Sequence, residues 1–212
     1  MADDHDVVRQ GVRTILEDSN EGWQVCAEAV NGRDAVAKAR ELQPDIVVMD
    51  LSMPELNGVE ATRQILIVSP KTRVIMLTMH DLQQTELEIA AAGGHGYVLK
   101  SAVSRDLVDG VRTLLQGRVF FTENVRRKLQ EAEPSRTGDT MYPKLPHEIL
   151  TPREREVVQL LAEGKAAKEV ADILKIGLTT VETHRASIMR KLDLHTVADL
   201  TRWAIRNKII EA

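Results

Sequence analysis

Residues 45–58 read DIVVMDLSMPELNG. Pro44 and Pro54 bracket the stretch, and Ile46 to Met49 form a short, apolar, largely β-branched run. A run of that length between breakers predicts a strand buried on both faces of a parallel sheet. The strand ends in a carboxylate, Asp50, and the loop after it carries Pro54 and Gly58. In open α/β sheets, ligands gather at the carboxyl ends of the strands. An aspartate there is a poor core residue and a good functional one. A plain turn-capping role for Asp50 competes with that reading.

Upstream, Asp3 and Asp4 precede an amphipathic segment with Val8, Val12, Ile15 and Leu16 on one helical face. Trp23–Ala27 then reads as a strand and Asn31-Gly32 as a turn. Ala35, Val36, Ala39 and Leu42 mark a second helix that stops before Pro44. Downstream, a helix over Val59–Val68 closes at Pro70, and RVIMLT (73–78) reads as another buried strand. An alanine-rich helix from about Leu82 to Ala92, a strand over Gly96–Leu99 ending at Lys100, and a helix from about Arg105 to Leu115 follow. This alternation predicts an α/β fold with a doubly wound parallel sheet.

Asp50, Thr78 and Lys100 then end three strands at one sheet edge, near Asp3 and Asp4. Clustered carboxylates repel one another and suit a hard divalent ion such as Mg²⁺. Such an ion would also neutralise a phosphoryl group in transfer. Lys100 has the charge, and Thr78 the hydroxyl, to hold phosphoryl oxygens.

With 212 residues the chain has room for two modest domains, and its net charge of -4 is ordinary for a soluble protein. No apolar run approaches the length of a membrane span and no signal peptide opens the chain, so a cytoplasmic protein with no membrane partner is expected. The lone cysteine, Cys26, has no internal disulfide partner and reads as a small buried filler in a reducing compartment. Residues 151–212 carry 11 Lys and Arg against 9 Asp and Glu, leaving 17 against 23 for the rest. Any nucleic-acid contact therefore belongs in the second part.

Between the parts the pattern decays. NVRRKLQEA (124–132) extends as a polar helix with a solvated basic run, and PSRTGDTMYPKLP collects linker residues. Three divisions follow: 1–121, a partly helical linker over 122–147, and 148–212. In the last, Thr151, Pro152 and Glu154 form a capping-box helix start. Val157, Leu160 and Leu161 supply that helix's apolar face. A short helix over Ala167–Leu174 breaks at Gly177, and a third runs from about Thr179 to Leu192 with Val181, Ile188 and Leu192 inward. Its other face carries Glu182, Thr183, Ala186, Ser187 and Arg190. Two helices joined by a tight turn, the second with a small polar face, fit a helix-turn-helix. A last helix, Val197–Ile205, has Val197, Leu200, Trp203 and Ala204 on one side. A four-helix interaction module with a merely wet face is the competing reading.

The first part resembles the receiver domain of two-component response regulators. The matching motifs are Asp3-Asp4, Asp50 with Met53-Pro54 and Gly58, Thr78, and Gly96-Tyr97-Val98-Leu99-Lys100. The resemblance implies that Asp50 accepts a phosphoryl group from a sensor histidine kinase. It also implies that Asp4, Asp50 and the Ser52 carbonyl bind Mg²⁺, with Asp3 acting through water. Thr78 and Lys100 would hold the phosphoryl oxygens, and Tyr97 would be the aromatic that follows Thr78. LTPREREVVQLLAEGK and TVETHRASIMRKL resemble the LuxR-type DNA-binding domain of the NarL/FixJ family. That implies a recognition helix whose Glu182, Thr183 and Ala186 face base edges. Lys165, Lys168, His184, Arg185 and Lys191 would be phosphate contacts, with Thr179 and Arg190 also on the DNA side. The apolar stripe of the last helix is expected to pair two copies as a homodimer through Val197 and Leu200, against the equal alternative that it finishes the small domain's own core. Ala166-Ala167 and Gly177 stand where the family usually has small polar residues.

One departure matters. A receiver has an apolar first strand before its acidic pair, and here only Met1 and Ala2 precede Asp3. Either the sequence is a shortened form of the gene product, which is the preferred reading, or the receiver is damaged. A missing strand would leave Asp3 and Asp4 on a loose terminus. The expected function is a transcription regulator switched by phosphorylation at Asp50, not an enzyme beyond slow autodephosphorylation. The alternatives are a phosphorylation-independent DNA binder with a defective receiver, and a Mg²⁺-dependent phosphatase. Against the phosphatase, Ser52 stands where a second catalytic carboxylate is usual.

Overall fold

The computed structural model describes residues 1–79, 83–132 and 149–210. It contains two compact units, Met1–Arg136 and Thr137–Ala212. Residues 133–147 of the expected 122–147 linker and the start of the alanine-rich helix at Leu82 lie outside the described residues.

In the first unit, β1 (Ile46–Asp50), β2 (Arg73–Thr78) and β3 (Gly96–Leu99) form a parallel sheet in the order β1-β2-β3. The register pairs Asp50 with Leu77 and Thr78 with Leu99. Side chains alternate across the sheet, as the pleat demands. Val47, Met49, Val74 and Met76 pack on one face with Ala35 and Ala39 of α2 (Gly32–Leu42), Ile65 of α3 (Gly58–Val68) and Ile89 of α4 (Gln83–Ala91). Val48, Ile75, Leu77 and Val98 pack on the other with Val12 and Leu16 of α1 (Asp6–Glu17) and Leu107, Val111 and Leu114 of α5 (Val103–Leu115). Each of these large side chains contributes about 1.5–3 kcal/mol by leaving water, which is why the strands read as continuous apolar runs. Asn31, expected in a turn, is the N-cap of α2, its side chain accepting from Asp34 N.

The short amino-terminal segment lies beside β1. Ala2 N donates to Val48 O at 2.8 Å, and Asp50 N donates to Ala2 O at 2.8 Å. On its other side Asp3 N donates to Ala29 O at 3.1 Å and Ala29 N to Met1 O at 2.8 Å. Ala2 therefore bridges both Met49 and Ala29 in parallel. Asp3 is not on a loose end, because Ala2 is paired on both flanks and Asp3 itself on one. The expected strand over Trp23–Ala27, by contrast, does not form. The Ala27 carbonyl takes the Met1 ammonium at 2.7 Å. A cleft of about 440 Å³ is lined by Trp23, Val25, Ile46 and Val48. Cys26 lies in this unpaired stretch and is exposed, not the buried filler expected.

After α5 the chain returns to the free edge of β3. Phe120 N donates to His95 O at 2.8 Å and Tyr97 N to Phe120 O at 3.1 Å, making one parallel bridge. Thr122 N and Oγ1 donate to the buried Glu86 of α4, at 3.1 and 2.8 Å, opening α6 (Glu123–Ala132). Val125 is buried with the α4 side of the core. The first turns of the polar linker helix thus belong to the first unit.

The second unit has α7 (Pro152–Ala162), α8 (Ala167–Leu174), α9 (Leu178–Leu192) and α10 (Val197–Arg206). Thr151 and Glu154 form the expected capping box. Val157, Leu160, Val170, Val181, Ile188 and Leu200 make its core. Gly177 caps α9 without a side-chain bond. Glu169 accepts from Ala166 N at 2.7 Å, and Ala166 has no side-chain oxygen to cap α8 in return.

Candidate functional site

The carboxyl ends of β1 and β3 bring Asp50 and Lys100 together, and the amino-terminal segment adds Asp3. Lys100 Nζ lies 2.9 Å from Asp50 Oδ1 and 2.9 Å from Asp3 Oδ2. Asp3 is 0% exposed and Asp50 3%. His5 N donates to Asp3 Oδ1 at 2.8 Å, while the His5 ring lies 2.9 Å from Asp4 Oδ1. One ligand atom from each of Asp3, Asp4, His5 and Asp50 can be chosen so that all lie within 4.8 Å of one another. Thr78, 1% exposed, ends the neighbouring strand β2. Ser52 is two residues past Asp50, and Tyr97 sits half-buried on β3 opposite Met76.

Burial pushes the Asp50 carboxyl up to about 6, with Asp3 and Asp4 adding to the rise and Lys100 opposing it. Burial also works against the Lys100 ammonium, yet its hydrogen bonds to Asp50 and Asp3 outweigh that and raise it. Two buried carboxylates share one ammonium here, and Asp4 adds a third negative charge beside them. Hard oxygen donors with surplus negative charge fit a divalent cation of the Mg²⁺ type, and the cation would relieve the raised Asp50.

The loop after β1 keeps this edge open. Gly58 N donates to Leu51 O at 2.8 Å, and a Cβ at Gly58 would lie 2.1 Å from the Asp50 carbonyl oxygen. Only glycine permits that approach. Asn57 then caps α3 by accepting from Glu60 N.

Arg9 and Glu28 were not singled out by the sequence. Arg9 is 8% exposed, and its Nη1 donates to Asp3 O at 2.8 Å. Its Nε donates to Glu28 Oε2 at 3.2 Å, and it pairs with Asp6. Arg13 also binds Glu28, at 2.6 Å, and holds that carboxyl below the usual range. No periodic or local signal marks such a pairing across 19 residues.

In the second unit Lys168, Thr179, Glu182, Thr183, Ala186 and Arg190 are exposed. Lys165, His184 and Arg185 are half-buried, and Arg185 lies 3.7 Å from Glu182. Lys191 is committed elsewhere: its Nζ donates to Glu154 Oε2 at 2.6 Å, beside Ser187, which donates to Oε1 at 2.8 Å. The capping carboxylate of α7 is thereby tied to α9. Val197 is 40% exposed and faces outward, whereas Leu200 is 0% exposed inside the unit's own core. Leu200 therefore finishes this core and offers no surface for pairing.

Residues 1–112 match the family model of the response regulator receiver domain, and residues 148–204 that of bacterial regulatory proteins, luxR family. The oxygen regulatory protein NreC of Staphylococcus aureus (strain MRSA252) is 36% identical over 213 residues, spanning 100% of this chain and 98% of that protein. NreC of Staphylococcus carnosus (strain TM300) is 35% identical over the same length. Among solved structures, a LuxR-family two-component response regulator from Aurantimonas sp. SI85-9A1 shares 37% identity over 63% of this chain and 94% of that one, with a TM-score of 0.55. The RcsB response regulator of Salmonella typhimurium shares 27% over 95% and 93%, with a TM-score of 0.61. RcsB in complex with DNA shares 27% over 95% and 94%, with a TM-score of 0.53. Among the described residues no helix is long and apolar enough to cross a membrane. The receiver match and the buried, backbone-held Asp3 together disfavour the reading of a defective receiver. The chain belongs to the LuxR/NarL family of two-component response regulators, with a receiver followed by a LuxR-type DNA-binding domain.

Proposed function

We propose that Asp50 is the phosphoryl acceptor of this regulator and that its modification controls pairing and DNA binding. One observation carries the reading: Lys100 stands between Asp50 and Asp3 at the carboxyl edge of a parallel sheet. In the transfer, an Asp50 oxygen bonds to phosphorus as the bond to a kinase histidine nitrogen breaks, leaving an acyl phosphate. A Mg²⁺ ion held by Asp4, Asp50 and the Ser52 carbonyl, with Asp3 through water, would neutralise charge on the phosphoryl group. Lys100 leaves its carboxylate partners for the phosphoryl oxygens, and Thr78 donates its hydroxyl to them. Hydrolysis of the acyl phosphate is slow resetting, not turnover. Tyr97, joined through its backbone to Phe120, lies where that change reaches the sheet edge.

For DNA, the exposed face of α9 enters the major groove. Glu182, Thr183 and Ala186 read base edges, while Lys165, Lys168, Thr179, His184, Arg185 and Arg190 meet the backbone, with Lys191 adding charge. Two copies pair through the outward face of α10 at Val197. The functional division is a receiver over 1–121, a connector over 122–147 and the DNA-binding domain over 148–212. The test is incubation with a small acyl-phosphate donor and Mg²⁺, which should give acid-stable, base-labile phosphate. Labelling that survives Asp50→Asn sinks the assignment.

A further inference from the structure

The Asp3 carbonyl belongs to the peptide that joins Asp3 to Asp4, so its orientation sets where both acidic side chains point. Asp3 is held through both of its flanking peptides, and Arg9 holds the one shared with Asp4. Asp3 N donates to Ala29 O at 3.1 Å, and Asp3 O accepts from Arg9 Nη1 at 2.8 Å in a buried setting. Arg9 is itself fixed by Glu28, the residue next to Ala29, at 3.2 Å. A closed ring results, running Asp3, Arg9, Glu28, Ala29 and back to Asp3. Pairing with β1 reaches Ala2 through Ala2 N and O and goes no further along the segment. Beyond Ala2, the ring fixes the acidic peptide.

We propose that Arg9 is a positioning residue for the cation and phosphoryl-acceptor site, acting through the Asp3–Asp4 peptide without touching the ion or the phosphoryl group. The inference rests on the cation-binding reading given above. A charged donor on a buried carbonyl is a strong, directional bond. Loss of a group that orients metal ligands typically weakens metal binding by 10–100-fold. The competing role for Arg9 is to tie α1 to the sheet, which would lower stability and leave the site's geometry intact.

The two roles separate in a titration of the full chain with Mn²⁺, followed by the paramagnetic signal of the free ion and repeated with Mg²⁺ as competitor. Arg9→Ala should weaken Mn²⁺ binding by about tenfold or more at a temperature well below its melting point. Arg9→Lys should recover part of that loss. Glu28→Gln, which loosens the anchor of Arg9 but leaves Arg9 in place, should lie between parent and Arg9→Ala. A folded Arg9→Ala protein with the parent's Kd, whatever its melting temperature, overturns the inference alone. If Arg9→Ala does not fold, parent-like Kd values for both Arg9→Lys and Glu28→Gln overturn it equally. A parent that binds neither Mn²⁺ nor Mg²⁺ overturns the cation reading itself, and the inference with it.

Discussion

Lys191, near the end of α9, donates to Glu154, in the first turn of α7, at 2.6 Å. The same carboxylate accepts from Thr151 N at 2.8 Å, so one side chain caps a helix and anchors the candidate recognition helix. Burial works against its charge, but Lys191, Thr151 and Ser187 outweigh that and hold the Glu154 carboxyl down to about 2.

A carboxyl held below its ordinary 4.5 contributes stability that is complete above that pH and is lost as the pH falls toward about 2. The contribution at neutral pH is about 3 kcal/mol. Glu154→Gln should therefore lower the melting temperature at pH 7 and close the gap to the parent as the pH falls through that window. Thermal denaturation followed by circular dichroism checks it, and a gap independent of pH would contradict the assignment.

Lys191→Ala leaves the Glu154 carboxylate buried with one donor fewer and should cost about 1–3 kcal/mol. Binding to every DNA site should weaken alike, and the salt dependence should flatten by about one unit if the ammonium also meets a phosphate. A changed order of preferred sequences would show that α9 is oriented in the groove differently.

Lys100→Ala removes the ammonium shared by Asp50 and Asp3. In the presence of a chelator the variant should lose about 2 kcal/mol or more, since facing buried carboxylates lose their counter-charge. Added Mg²⁺ should restore much of it. Labelling at Asp50 should persist in part, while phosphorylation-dependent DNA binding is lost. Calorimetry with and without Mg²⁺ would reveal a Mg²⁺-insensitive variant, which is the contrary outcome.

Gly58→Ala places a Cβ 2.1 Å from the Asp50 carbonyl oxygen, backbone that has no room to yield. The loop must shift, and Asp50 with it. A loss of about 2 kcal/mol or more is expected, with slower acceptor labelling in whatever fraction folds. Parent-like melting and labelling would show that the loop tolerates the atom.

Val197→Asp tests pairing through α10 and leaves the core alone, whereas Leu200→Asp would bury an unpaired charge and unfold the domain. The Val197 variant should fold, bind half-sites as the parent does, and lose affinity for full sites. A folded variant that binds full and half sites as the parent does would exclude Val197 from the pairing surface.

What the sequence determined by itself was local. The strands over 46–50, 73–78 and 96–99 were legible because short apolar runs between breakers have few alternatives. The α7 start was legible because Thr151, Pro152 and Glu154 act within one turn. Asp50 and Lys100 came together on paper because both end such strands. The tertiary structure decided matters that depend on a distant partner. Trp23–Ala27 has strand composition, yet no ladder forms along it, because composition does not supply a paired neighbour. Met1–Asp3 shows little strand pattern and still bridges both flanks, because backbone hydrogen bonds need no particular side chain. The stripe of Val197 and Leu200 was visible, but its period does not say which residue meets the domain's own core. Arg9 with Asp3 and Lys191 with Glu154 are pairings of charge across the fold. Charge has no period, and only the packed chain decides which opposite charge lies within reach.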